Sequence, residues 1–293
     1  MFKKRKRETQ GDSVPTGSRL GSAPSVRNRH ERHLVAVLAD CSSSMTWEPG
    51  APGEPGRVGH RPIDALNNAI PDFLAHDLPS VKQLIAFGDV ALGSFNSVNK
   101  SPVSWLKLEN GTADSSHPFY GVTNDLKLPH DLVADGQTPM GTALLDALRV
   151  LELHRIALTS DEDRPVSVRR PGNLFLITDG VPEGESEERF AEAREELQDA
   201  ERGDRVRFWS IGTEGADMEL LRSLSLGGSE NAWELSRTPL RKILKLITFT
   251  TDTATQAGAG GGGPEAFYRS VRERVEKRGF FTEEERSFYD DDL

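Results

Sequence analysis

Asp40, Ser42 and Ser44 stand at D-x-S-x-S spacing, so a short loop aims three small oxygen-bearing side chains at one point while Cys41 and Ser43 face elsewhere. Oxygen donors in that pattern suit a hard divalent cation. Two other stretches supply matching groups. Residues 173–178, NLFLIT, form an apolar run that ends in Asp179, and Gly180 follows to let the backbone turn. Residues 136–144, GQTPMGTAL, read as a turn-rich loop entering a helix, and Thr138 offers another hydroxyl.

These groups meet only if the elements before them end at the same place. Leu34 to Ala39 are apolar without alternation, the pattern of a strand buried on both faces, which puts Asp40 at its carboxyl end. A helix is predicted from about Pro62 to His76, with Ile63, Leu66, Ile70, Phe73 and Leu74 on one face and Pro71 kinking it midway. Val81–Val90 reads as the second strand, Gly93–Val98 as its hairpin partner and Val103–Leu108 as an edge strand. A short helix is predicted near Asp125–Leu132 and a long one over Gly141–Ile156, with Leu144, Leu148 and Leu151 in one stripe. After the strand ending at Thr178 come a charged helix over Glu185–Arg202, a strand over Val206–Ile211 and a short helix over Asp217–Leu224. A last strand over Ala232–Leu235 and a helix from Leu240 to about Thr253 close the alternation. Strands alternating with helices imply an α/β fold: a doubly wound, mostly parallel central sheet with helices on both faces. Ligands of such sheets sit beyond the carboxyl ends of the strands, where both Asp40 and Asp179 are predicted.

Bulk composition narrows the function. The 293 residues, 36% of them hydrophobic, suffice for one substantial core. The net charge of −10 is uneven: residues 1–33 hold nine Lys/Arg against three Asp/Glu, which leaves the remainder at −16. An acidic body disfavours broad nucleic-acid binding, and only the basic first residues, with KKRKR at 3–7, could tether an anionic surface or nucleic acid or serve as a nuclear import signal. Cys41 is the single cysteine, which excludes an intramolecular disulfide and a cysteine zinc site and fits a reducing, cytoplasmic setting. No apolar run approaches the ~20 residues of a membrane span, and the first residues lack a secretory signal's apolar core.

The expected division is a basic disordered tail over 1–32, one domain over 33–255, a Gly-rich linker over 256–263 and a C-terminal helical tail over 264–293. In that tail Pro264 opens a helix to about Arg278 whose Phe267, Val271 and Val275 form one apolar edge, suited to docking on the domain or to a partner. Thr282 and Glu285 have capping-box spacing for a further turn.

Taken in order, D-x-S-x-S, the Thr138 loop and the strand ending in Asp179 resemble the von Willebrand factor A domain and its metal-ion-dependent adhesion site. The resemblance covers roughly residues 33–255, including PIDALNNAI and the closing WELS, and is closest to the bacterial intracellular members associated with tellurite resistance and chemical stress. It implies that Ser42 and Ser44 are direct ligands of one divalent ion, that Asp40 and Asp179 act through water or hydrogen bonds, and that Thr138 binds directly or through water. Thr142 falls outside the motif and reads as a first-turn helix residue. Mg2+ is the implied ion, with Mn2+ and Ca2+ as alternatives. Neutral hydroxyls with outer-shell carboxylates leave such an ion poorly neutralised, so an acidic side chain of a protein partner would complete it. The implied function is a non-enzymatic, metal-dependent protein-binding adaptor in a bacterial stress-response or regulatory complex.

One departure is the long Gly/Pro-rich loop between Met45 and Pro62, which would place Trp47 and Arg57 on the same rim as partner-selecting residues, although an exposed Trp also packs on its own loop. Other chemistries are weaker. Ser42, Ser43 and Ser44 lack a G-x-S-x-G elbow, and neither strand end supplies the second aspartate that an aspartyl-phosphate hydrolase wants. A metal-dependent phosphatase or hydrolase on a similar sheet, a scaffold with a degenerate metal site that binds through its tails, and loop capping by Asp40 and Asp179 remain as alternatives. Cys41, beside acids, is expected to be a buried and unreactive spacer.

Overall fold

The structure, a computed structural model, describes residues 31–46, 61–74, 88–98, 101–109, 112–113, 118–121, 128, 130–160, 167–213, 216–234 and 264–277. The strands are β1 (Glu31–Asp40), β2 (Gly88–Phe95), β3 (Val103–Trp105), β4 (Thr112–Ala113), β5 (Tyr120–Gly121), β6 (Ser167–Thr178), β7 (Val206–Gly212) and β8 (Ala232–Glu234). The helices are α1 (Pro62–Leu74), α2 (Met140–Thr159), α3 (Glu187–Arg202), α4 (Met218–Ser223) and α5 (Pro264–Lys277).

The sheet runs β4-β5-β2-β1-β6-β7-β8, with β3 also on β2. β1 pairs in parallel with β2 and β6, β6 with β7 and β7 with β8, while the pairs involving β3, β4 and β5 are antiparallel. β1 is therefore interior, which is why its run of apolar residues needs no polar face. Val35, Val37 and Ala39 point to one side with Ile63, Leu66 and Ile70 of α1, and Leu34, Ala36 and Leu38 to the other with Met140, Leu144 and Ala147 of α2 and Leu197 of α3. β6 divides likewise, Phe175 and Ile177 against Leu174 and Leu176. The predicted α/β sheet covered on both faces is what the chain forms.

Several boundaries move. The second strand is not Val81–Val90 with a hairpin at Gly93–Val98; β2 runs unbroken from Gly88 to Phe95, and residues 81–87 lie outside the described residues. Gly93 looks like a breaker in sequence, but a Cβ there would stand 2.5 Å from Val103 Cγ1, so its bareness lets β3 lie across the strand. The real antiparallel partner of Gly93–Phe95 is Val103–Trp105. α1 continues past Pro71 to Leu74. His130 to Leu132 are not helical, and the rest of the predicted 125–132 helix falls largely outside the described residues, as do the 240–253 helix and the Thr282 turn.

β1 begins at Glu31, two residues before the expected domain boundary. α5 is no detached tail: Tyr268 and Val271 are buried in the same core as Trp209 and Trp233, and the Tyr268 hydroxyl donates to the buried Glu201 carboxylate and accepts from Phe208 N–H at 2.8 Å. Of the expected 1–32 tail, residues 1–30 lie outside the described residues, as do the 256–263 linker and 278–293. Among the described residues, no helix is long and apolar enough to cross a membrane.

Candidate metal site

The site is built by three adjacent chain segments at the carboxyl end of the sheet. Asp40 is the last residue of β1, and Thr178, in register one step beyond the Ala39–Ile177 pair, is the last of β6. Both are fully buried. Asp40 Oδ1 accepts from Ser42 N–H at 2.8 Å, which curls the chain back over the strand end, and Asp40 Oδ2 accepts from the Thr178 hydroxyl at 2.6 Å. Residues Ser43–Thr46 then form a single 3-10 turn anchored by buried Met45. That turn sets the Ser42 and Ser44 hydroxyls 2.9 Å apart, and Ser44 donates to Asp179 Oδ1 at 2.9 Å.

The Thr138 loop is held to both neighbours by backbone bonds. Ser43 N–H donates to the Gly136 carbonyl at 2.9 Å, Asp135 N–H to the Cys41 carbonyl at 2.8 Å, and Glu183 N–H to the Thr138 carbonyl at 2.9 Å. Glu185 adds a staple: its carboxylate accepts from Gly141 N–H at 2.6 Å, Thr142 N–H at 2.9 Å and the Thr142 hydroxyl at 3.0 Å. A carboxylate there satisfies unpaired donors at the start of α2 and meets the positive end of its dipole. Thr142 thus has the first-turn role read from the sequence.

Above these oxygens the wall is Gly180. A Cβ on Gly180 would lie 3.4 Å from Thr138 Oγ1, 3.6 Å from Ser44 Oγ and 3.7 Å from Asp40 Oδ2, so the three segments converge on one small cradle that a side chain at this position would fill. The five predicted residues, Asp40, Ser42, Ser44, Thr138 and Asp179, are brought together. Thr178, which the sequence shows only as the last residue of a strand, joins them: its hydroxyl accepts from Gly180 N–H at 3.1 Å while donating to Asp40. Trp47 and Arg57 lie outside the described residues.

Burial pushes the Asp40 carboxyl up to about 6 against the pull of its neutral donors, and raises Asp179 as well. Among the described residues, the groups acting on Asp40 are Thr178, Ser42 and the like-charged Asp179, with no cationic side chain among them. Two carboxylates facing neutral hydroxyls without a counter-charge are costly to bury, and a cation removes that cost. The donor set is all oxygen, so it fits a hard divalent ion and not a soft one. The same burial, with Asp40 next to it, pushes the Cys41 thiol up to about 12, which leaves it an inert spacer.

The sequence matches no protein-family model and no curated protein. Solved structures do resemble the fold. The pilus adhesin SpaC of Lactobacillus rhamnosus GG, in its open conformation, superposes with a TM-score of 0.52 at 11% identity, over 78% of this chain and 31% of the adhesin. Proximal thread matrix protein 1 of the mussel byssus, in a structure described as having a zinc-occupied MIDAS motif, gives 0.41 at 15% identity over 78% of this chain and 47% of that one. The chain thus spans about a third of the adhesin and about half of the thread protein. At this identity the adhesin likeness shows the fold alone, in keeping with the α/β sheet described above.

Proposed function

We propose that this chain is a metal-dependent protein-recognition module. Ser42, Ser44 and Thr138 supply hydroxyl oxygens to one divalent cation, Mg2+ by the hardness of the donors, and Asp40 and Asp179 supply negative charge from behind. When bound, the cation supplies a Lewis-acidic position that an incoming carboxylate can occupy. The chain's residues prepare that position. Thr178 and Ser42 N–H fix both oxygens of Asp40, Ser44 bridges to Asp179, and Glu185 pins the loop that carries Thr138. The carrying observation is the Gly180 cradle, where oxygens from three separate segments come within 3.7 Å of one point.

In this reading the module binds and releases a partner's Asp or Glu and performs no turnover. The Ser42 and Ser44 hydroxyls face each other and the carboxylates of Asp40 and Asp179, an arrangement for coordination and not one that activates a nucleophile through a histidine. The proposal extends to a cytoplasmic setting, in keeping with a lone buried cysteine, and to a bacterial stress-response or regulatory assembly of the tellurite-resistance kind, on the sequence resemblance. Displayed random peptides selected on the immobilised protein in Mg2+ and eluted with EDTA test it. Enriched peptides should share one Asp or Glu whose replacement by Asn or Gln removes binding. Enrichment that survives EDTA, or that lacks an acidic position, would overturn the proposal.

A further inference from the structure

Among the described residues, the large hydrophobic side chains left exposed are Val98, Val133, Leu153, Ile156 and Val181. Single exposed apolar residues are ordinary, but three of these five lie on loops that lead to or brace the cation site. Val181 follows Gly180 directly and is 53% exposed. Val98, 59% exposed, packs against Gly136, the residue whose carbonyl holds Ser43 in place. Val133, 75% exposed, stands two residues before Asp135, which is bonded through its N–H to Cys41. The loop after β2, the loop that carries Thr138 and the loop after β6 therefore each present one bare aliphatic side chain.

Among the described residues, the rim also carries exposed acids. Asp131, Asp135 and Glu183 are exposed on these loops. Resting on the recognition function above, we propose that this rim selects a partner segment in which one Asp or Glu sits among aliphatic and basic residues, and that it rejects acidic runs. The single acid reaches the cation, the aliphatic neighbours cover Val98, Val133 and Val181, and a Lys or Arg beside them faces Asp131, Asp135 or Glu183. A second or third acid would be pressed against those carboxylates instead, and like-charge contact at a rim discriminates strongly between partners. The same repulsion excludes the chain's own acidic stretches, Glu283–Glu285 and Asp290–Asp292, as ligands of the site.

The test uses three labelled synthetic peptides: one with a central Asp between Leu and Val and a Lys at each end, one with the same Asp between Glu residues, and the sequence of residues 282–293. Anisotropy is read on the full chain in Mg2+ and in EDTA, and Mg2+ binding itself is followed by calorimetry. The first peptide should bind in Mg2+ alone, and at least tenfold more tightly than either acidic one. Val181→Ser and Val98→Ser, both at exposed positions, should each weaken it about fivefold while Mg2+ affinity stays unchanged, the loss expected for partial burial of one aliphatic side chain. Equal or tighter binding of an acidic peptide, or unchanged binding by both serine variants, would overturn the rim's role. If Mg2+ binds and no peptide is captured, the rim proposal fails alone; if Mg2+ does not bind, the recognition function beneath it fails as well.

Discussion

Two buried aspartates on neighbouring strands are treated in opposite ways. Asp89, near the amino end of β2, receives the Arg32 guanidinium from β1 and lies 3.2 Å from His154 Nε2, whose ring stacks on Phe119 at 4.2 Å. Despite burial, the His154 and Arg32 contacts hold its carboxyl below the ordinary value. Asp40, at the carboxyl end of β1, is just as buried but has only neutral donors among the described residues, and its carboxyl is raised to about 6. The amino end of the sheet has neutralised its charge and uses it as a pin. At the carboxyl end the charge has been left incomplete, and an incomplete buried charge is the mark of a site that expects a visitor.

Removing each carboxylate should separate the two roles. Asp89→Ala leaves Arg32 buried without its partner, so it should cost about 3–5 kcal/mol in denaturant unfolding. Asp40→Asn keeps the shape, so in EDTA near pH 4, where the raised Asp40 carboxyl is already protonated in the folded chain, it should change stability by no more than about 1 kcal/mol. A large loss for Asp40→Asn would place Asp40 with the pins.

Acid and base should affect the two ends in separate windows. Because folding raises the Asp40 carboxyl, its contribution is present below the unfolded value of 3.8 and is lost as pH rises through about 6. Folding lowers Asp89, so its contribution is present above 3.8 and disappears as pH falls below that value. In EDTA the wild type should therefore lose up to about 3 kcal/mol between pH 4 and 7, a loss that Asp40→Asn reduces, whereas Asp89→Asn should flatten only the limb below about pH 4. A pH series of urea titrations checks both limbs.

Smaller effects probe the cradle itself. Gly180→Ala would place a methyl in ordinary contact with the three oxygens, so the fold should tolerate it while Mg2+ affinity falls about tenfold, some 1.4 kcal/mol. Glu185→Gln should weaken Mg2+ severalfold and lower stability by about 1 kcal/mol, because the amide still accepts but loses the charge that suits a helix start. Calorimetry and thermal unfolding on the same samples read both.

The site was more legible than the parts around it. Its residues sit at or just beyond the ends of β1 and β6 and just before α2, elements with strong periodic patterns whose ends the sequence marks with Asp40, Asp179 and Pro139. Thr178 was missed because it reads as the last strand residue, and only the register between β1 and β6 reveals that its hydroxyl meets Asp40. The expected strand Val81–Val90 and its hairpin partner Gly93–Val98 divide what is one strand, Gly88–Phe95, in which the bareness of Gly93 serves the crossing of β3. The Asp89 pin was invisible for a different reason. Arg32, Asp89 and His154 are 57 and 65 positions apart, and no spacing rule joins residues that only the parallel pairing of β1 with β2 and the packing of α2 bring together. The docking of α5 likewise hangs on Tyr268 meeting Glu201, a pair that amphipathic spacing alone does not suggest.

Calorimetric titration of Mg2+ into the EDTA-stripped, dialysed protein bears most directly on the incomplete charge at Asp40. Saturable binding of one ion per chain, lost in Asp40→Asn and retained in Asp89→Asn under conditions where both are folded, is the expected result. Absence of saturable binding in the wild type, or binding that Asp40→Asn leaves intact, would contradict it.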